Sequence, residues 1–223
     1  MEKLHFYIDE TKFKKDAKLY LGLSLVIIRN DENIDELKEE LNLLKKELEL
    51  DQFLGHDKDD RLLHFTEDSL EIKPKVIDKI RPLPIKAYIA YTILENDSEF
   101  KRTYLEILKK LLFDRINKNK QFNIHIFYEE QSQIKQNDVQ QILDTILTSI
   151  DAPNCTISKT TKENVLICLP DYILGVFRDI TDTEKKSQDY MKRNYGKLNS
   201  KIRLIIDMEN HIFYSTKNPY PIS

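Results

Sequence analysis

The chain has 223 residues, a formal net charge of −3, 40% hydrophobic and 33% charged residues, a polar globular composition with material for one sizeable core. No run approaches the roughly 18 apolar residues of a membrane span, two distant cysteines and five scattered histidines write no zinc motif, and four glycines cannot build a Gly-rich phosphate loop. The charge argues against a non-specific nucleic-acid coat, while two cysteines without a secretory leader in MEKLHFYIDE point to a reducing, cytoplasmic setting.

The stretch His5–Thr11 (HFYIDET) reads as a strand from its aromatic and β-branched residues, and the apolar run Leu19–Ile28 follows closely enough to pair with it. A strand covered on both faces is apolar throughout, yet this one carries Asp9 and Glu10. A carboxylate inside a sheet loses hydration and needs a compensating cation, either Lys/Arg or a metal ion. The alternative is that both acids end the strand and face water.

Asn33–Leu50 reads as a helix, with Asn33 and Glu36 at capping-box spacing. Its stripe Ile34, Leu37, Leu41, Leu44 and Leu48 suits packing on the domain's own sheet or, alternatively, a short coiled-coil seam that makes a homodimer. The irregular segment from Asp51 to Ile80 contains the acid run GHDKDD at 55–60, which reads as a solvated loop. His64, after two leucines, is either a satisfied half-buried histidine or a proton carrier at the mouth of a site. Pro82 and Pro84 break a short helix before a third strand at Lys86–Leu94.

Helices and strands then alternate. Tyr104, Ile107, Leu108, Leu111 and Leu112 form one face of a helix reaching about Ile116, and Phe122–Tyr128 is a fourth strand closing in Glu129–Glu130. Asp138 is placed to cap a helix with the stripe Val139, Ile142, Leu143, Ile146, Leu147 and Ile150, before a short fifth strand at Cys155–Ser158. Pro170 suits the first turn of a helix, Asp171 is favoured by its positive end, and Gly175 lets that helix approach another backbone. From Lys185 to Arg203 seven Lys/Arg face one acid, Asp189, with Tyr190 and Tyr195 between them. That run is a solvated face or a phosphate-contacting one, with Lys192, Arg193 and Lys197 as its contacts. Arg203–Asp207 and His211–Ser215 read as a C-terminal hairpin turning at Glu209–Asn210.

This order predicts a single α/β domain of RNase H-like type: a mixed five-stranded sheet flanked by helices, a helical insertion at about 31–84 and an extension at about 182–223. The carboxylates fall in the first strand, at the end of the fourth and in the last helix. The chain resembles the bacterial family called domain of unknown function 3800, through FYIDET (Thr11 replacing a serine, with no glycine after it), LLHFTEDSLEIK, and LICLPDYILGVFRD. The last departs from the family pattern at Cys168 and Pro170, where glutamine and alanine are common. Carried over by position, Asp9, Glu129 (or Glu130) and Asp171 are the acid triad, with Glu10 and His64 beside it.

The expectation is a Mg²⁺- or Mn²⁺-dependent nuclease in which Asp9 bridges two ions and Glu129 and Asp171 each hold one. The alternative is a non-catalytic module of the same fold that binds nucleic acid or a partner protein.

Overall fold

In the computed structural model, which describes residues 2–50, 62–150, 154–184 and 189–222, the N-terminal hairpin forms the axis of the sheet. β1 (Lys3–Lys15) and β2 (Lys18–Arg29) pair antiparallel from Leu4 opposite Arg29 to Lys15 opposite Lys18. Both turn residues, Asp16 and Ala17, have positive φ (51° and 61°), the backbone of a type I′ turn, whose twist suits a two-residue hairpin. Ala17 is strained there. The turn is held from outside: Asp16 N–H donates to Thr183 Oγ1 at 3.0 Å and Thr183 N–H donates to the Lys14 carbonyl at 3.0 Å.

The remaining strands are β3 (Lys86–Ile93), β4 (Asn123–Glu129), β5 (Cys155–Thr160), β6 (Ile202–Asp207) and β7 (Ile212–Tyr214). Among the described residues they make one seven-stranded sheet in the order β5-β4-β1-β2-β3-β6-β7. β1, β2 and β3 form an antiparallel meander, β4 and β5 run parallel to β1, and β6 runs parallel to β3. The sheet is thus wider than the five strands expected. The C-terminal hairpin does not stand apart; it extends the sheet because the free edge of β3 offers unpaired backbone groups that β6 satisfies.

Among the described residues six helices flank it: α1 (Asp31–Leu50), α2 (Ile72–Ile80), α3 (Phe100–Lys118), α4 (Gln136–Ile150), α5 (Cys168–Thr181) and α6 (Asp189–Leu198). Alternation along β1 sorts the two cores. Leu4, Phe6 and Ile8 join the core under α3 and α4, whereas Tyr7 and Phe13 join the one under α1, α2, α5 and α6. Burying a side chain of this size contributes roughly 1.5–3 kcal/mol.

All five apolar residues of the α1 stripe are buried in that second core. The seam read as a homodimer contact is therefore already covered by the chain itself. Two helix starts also differ from expectation. α1 begins two residues before Asn33, whose Nδ2 donates to the Arg29 carbonyl at 2.5 Å instead of capping an N–H. Asp138 lies inside the first turn of α4, where its carboxylate accepts from Lys135 N–H and pairs with Lys101 Nζ at 2.6 Å. The acid run at 55–60 lies outside the described residues.

Candidate active site

The register of two strands and the start of one helix assemble the acids. β1 and β4 pair in parallel up to Ile8 opposite Tyr128, so the next positions, Asp9 and Glu129, stand side by side on the face that also carries Tyr7 and Phe127. Those two rings stack at 5.2 Å below the carboxylates. α5 crosses the same face and presents Asp171 from its first turn, where the partial positive charge of unpaired N–H groups favours an anion. Asp9 is only 4% exposed.

Asp171 is fixed by the 62–69 segment. Its Oδ2 accepts the Phe65 N–H at 2.7 Å, and His64 Nε2 stands 3.9 Å from the same oxygen. The segment is keyed to α5 at three further points spaced along the helix. Tyr172 donates its hydroxyl hydrogen to Asp68. Arg178 reaches Thr66 Oγ1 at 3.1 Å. At Gly175 an added Cβ would come within 2.2 Å of the Phe65 ring. That glycine was expected to admit a second backbone; what it admits is a phenyl ring. With Leu63 and Phe65 buried, His64 is turned toward Asp171, and its Nδ1 is buried without a hydrogen-bond partner.

Crowding changes the acidity of the group. Burial, then the charges of Asp171, Glu10 and Glu129, push the Asp9 carboxyl well above the usual carboxylate range, and a side-chain hydrogen bond with Glu129 adds to the shift. Burial and the charge of Glu129 push Glu10 up to about 8, against the opposing pull of Lys162. Asp171 is also raised by burial, an effect offset by His64, the Phe65 N–H and Lys162. These are the shifts expected of carboxylates that share too little compensating charge. Lys162, whose Nζ is 3.6 Å from Glu129 Oε1, supplies part of it.

Alternation separates the remaining candidates. Glu10 follows Asp9 and leans to the other side of β1, toward Tyr104 of α3. Its Oε2 is buried without a hydrogen-bond partner. Glu130 turns away from Glu129, is exposed and pairs with Lys159, so Glu129 is the β4 acid of the cluster. Lys192, Arg193 and Lys197 belong to α6, which packs on α5 and α2. There Lys197 pairs with Asp78 at 2.7 Å rather than with a carboxylate of the cluster. Lys185 and Lys186 of the same basic run lie outside the described residues.

Carboxylate oxygens are donors suited to a hard divalent cation, whereas zinc or copper would draw on histidine or cysteine. Among the described residues, however, no group of three or more His, Cys, Asp or Glu side chains is placed to hold a metal ion. A side-chain hydrogen bond joins Asp9 to Glu129, and Lys162 lies 3.6 Å from Glu129 Oε1. Compared with known proteins, the chain matches no family model and no curated sequence.

Proposed function

We propose that this chain is an RNase H-like, divalent-metal-dependent phosphodiesterase acting on nucleic acid, as its resemblance to the domain of unknown function 3800 implies. The observation that supports this most is the convergence of Asp9, Glu129 and Asp171 from two strands and a helix start, where burial first, and then the neighbouring carboxylates, makes Asp9 and Asp171 weaker acids than usual. A structural role gives no reason to bring three acids from distant parts of the chain to one buried point, because each added charge costs desolvation.

Asp9, Glu129 and Asp171 are the residues that would hold Mg²⁺ or Mn²⁺, and the bound ion supplies Lewis acidity toward the phosphodiester. The chain's own contribution is orientation and proton handling. The Phe65 N–H fixes which oxygen of Asp171 is available. His64, 3.9 Å from that oxygen, can carry a proton to or from the site. The tight packing of Tyr7 and Phe127 beneath the acids excludes water from one side. Two unpaired cysteines suit a reducing compartment, and we infer a cytoplasmic setting. Among the described residues no helix is long and apolar enough to cross a membrane.

The position of Lys162, and the lack among the described residues of a group placed to hold a metal ion, favour a second reading, a binding module of the same fold whose acids are neutralised from within. One assay separates the two. Labelled single-stranded RNA, RNA–DNA hybrid, single-stranded DNA and duplex DNA are incubated with Mg²⁺, Mn²⁺ or chelator, beside Asp9→Asn. Cleavage that needs both metal and Asp9 is the expected result. Binding that survives chelation, with no cleavage under any condition, would transfer the assignment to the binding module.

A further inference from the structure

β1 and α5, which carry two of the acids, and the 62–69 segment that fixes Asp171 share a second group of polar side chains. On β1, Thr11 lies two residues beyond Asp9 and so on the same face of the strand. On the 62–69 segment, Thr66 lies two residues beyond His64. On α5, Arg178 lies seven residues beyond Asp171, two turns along the same face. These residues meet. Arg178 Nη1 is 3.1 Å from Thr66 Oγ1 and 3.4 Å from Thr11 Oγ1, and donates to both. The guanidinium lies over the Phe65 ring, 5.5 Å from its centroid. Its Nε is buried without a hydrogen-bond partner, and the neighbouring Asp179 carboxylate stands 3.8 Å away, beyond hydrogen-bonding distance.

A tie between α5 and two hydroxyls explains only part of this arrangement. A guanidinium keeps its charge at any ordinary pH, presents five N–H donors in a rigid fork and binds phosphate through two of them at once. Here neutral hydroxyls take one nitrogen, and the buried Nε has an ion pair with Asp179 at 3.8 Å but no hydrogen bond. Each threonine accepts from Arg178 and so keeps its own O–H free to donate to an anion. The Phe65 ring sets the plane of the fork, which removes part of the ordering cost that a free arginine would bear on binding.

We propose that Arg178, Thr11 and Thr66 form a subsite for a phosphate of the nucleic-acid strand, next to the phosphodiester presented to Asp9, Glu129 and Asp171. The inference rests on the phosphodiesterase reading and extends it to the way the substrate is gripped. Two residues along β1 span about 6.6 Å, on the scale of one nucleotide of an extended strand. A cluster of carboxylates repels a polyanion, so a strand needs a cationic anchor beside it; Arg178 is that anchor. The same chemistry makes the grip independent of base identity, because only the backbone is touched.

The test measures binding of a short labelled single strand, with chelator present, across a range of salt. Arg178→Gln is expected to weaken binding roughly ten-fold and to lower the slope of log affinity against log salt by about 0.7, the share of one phosphate contact on a single strand. Arg178→Lys keeps the charge and loses the fork, so the slope should stay while affinity drops several-fold. Thr11→Val/Thr66→Val removes both hydroxyls at constant shape, and should weaken binding in the same direction even if Arg178→Gln does not fold. Wild-type slope and affinity in folded Arg178→Gln, or in the double threonine variant, would overturn the subsite. So would a wild-type protein that binds no strand. Metal-dependent cleavage with an unaltered Arg178→Gln slope removes the subsite and keeps the phosphodiesterase. An Arg178-dependent slope without cleavage by wild type keeps the anchor and removes the chemistry.

Discussion

Asp207 and Asp9 are both strand residues withdrawn from water, 1% and 4% exposed, three strands apart in the same sheet. Asp207 ends β6 among partners that answer it. Its Oδ2 accepts from the Tyr91 hydroxyl at 2.8 Å and Asn210 Nδ2 at 2.9 Å, its Oδ1 accepts from Asn210 N–H at 3.0 Å, and Lys15 Nζ stands 4.0 Å away. Asp9 accepts the Glu10 N–H at 2.8 Å on Oδ1, and the side chains around it are other acids. Burial is common to both residues and distinguishes neither. What separates the two is whether the surroundings supply the carboxylate with donors or crowd it with other acids.

Substitution should pull the two apart. Asp9→Asn is expected to reduce metal-dependent cleavage to background while leaving urea stability at or above wild type, because it removes a crowded charge. Asp207→Ala should do the reverse, costing about 3 kcal/mol by stranding the Tyr91 hydroxyl and the Asn210 donors. A cleavage assay beside urea titrations checks both. If Asp9→Asn proved as destabilising as Asp207→Ala, the contrast between the two acids would be lost.

Gly175→Ala tests the joint that delivers His64 and Phe65 to the site. A methyl 2.2 Å from the Phe65 ring must displace it, so a loss of roughly 1–3 kcal/mol is expected, along with slower cleavage. A thermal melt and a rate measurement read the two effects.

Titration sharpens the comparison without any substitution. Glu10, with an ordinary value of 4.5, is pushed up to about 8, and Asp9 is raised as well. Over that window the folded chain holds protons that the unfolded chain has released. Stability contributed by these groups is therefore complete below about 4.5 and is lost as pH climbs through 8, with a slope on the order of 1.4 kcal/mol per pH unit for each proton retained. Metal-free protein should melt at progressively lower temperature from pH 5 to pH 8, and Glu10→Gln should flatten the curve. Saturating Mn²⁺ should flatten it too, since a bound cation favours the charged acids.

His64→Gln should slow cleavage by about a hundred-fold, the low end of what a positioned acid–base group supplies, with strand binding unchanged. The smallest effect is expected from Glu130→Gln: paired with Lys159 at the surface, it should leave rate and stability near wild type.

Much of the candidate site was readable because Asp9, Glu129 and Asp171 break the local rules of the elements that carry them. A charge in a covered strand, a charge closing a strand and a charge opening an apolar helix each ask for an explanation. Lys162 broke no rule: a lysine in the polar loop TKEN is unremarkable until the fold brings it to Glu129. The choice between Glu129 and Glu130 was equally closed to pattern reading, since it depends on where β4 ends. The α1 stripe was legible as a stripe but not as a destination, because Ile34 to Leu48 would serve a second copy as well as it serves the core. α6 escaped notice for another reason. Met191, Tyr195 and Leu198 recur at helical spacing and are buried, but the lysines and arginines between them dominate the composition of that stretch.

The seating of Phe65 against Gly175 has a consequence for how such a site can change over time. His64 and Thr66 are the chain neighbours of one ring, so a single steric register indexes both the residue that faces Asp171 and the residue that meets Arg178. On the proposed roles, proton handling and strand grip cannot be retuned separately by shifting this segment, since a displacement that improves one misaligns the other. Variation at positions 65 and 175 should accordingly be paired, with a smaller ring tolerated only beside a larger residue on the helix.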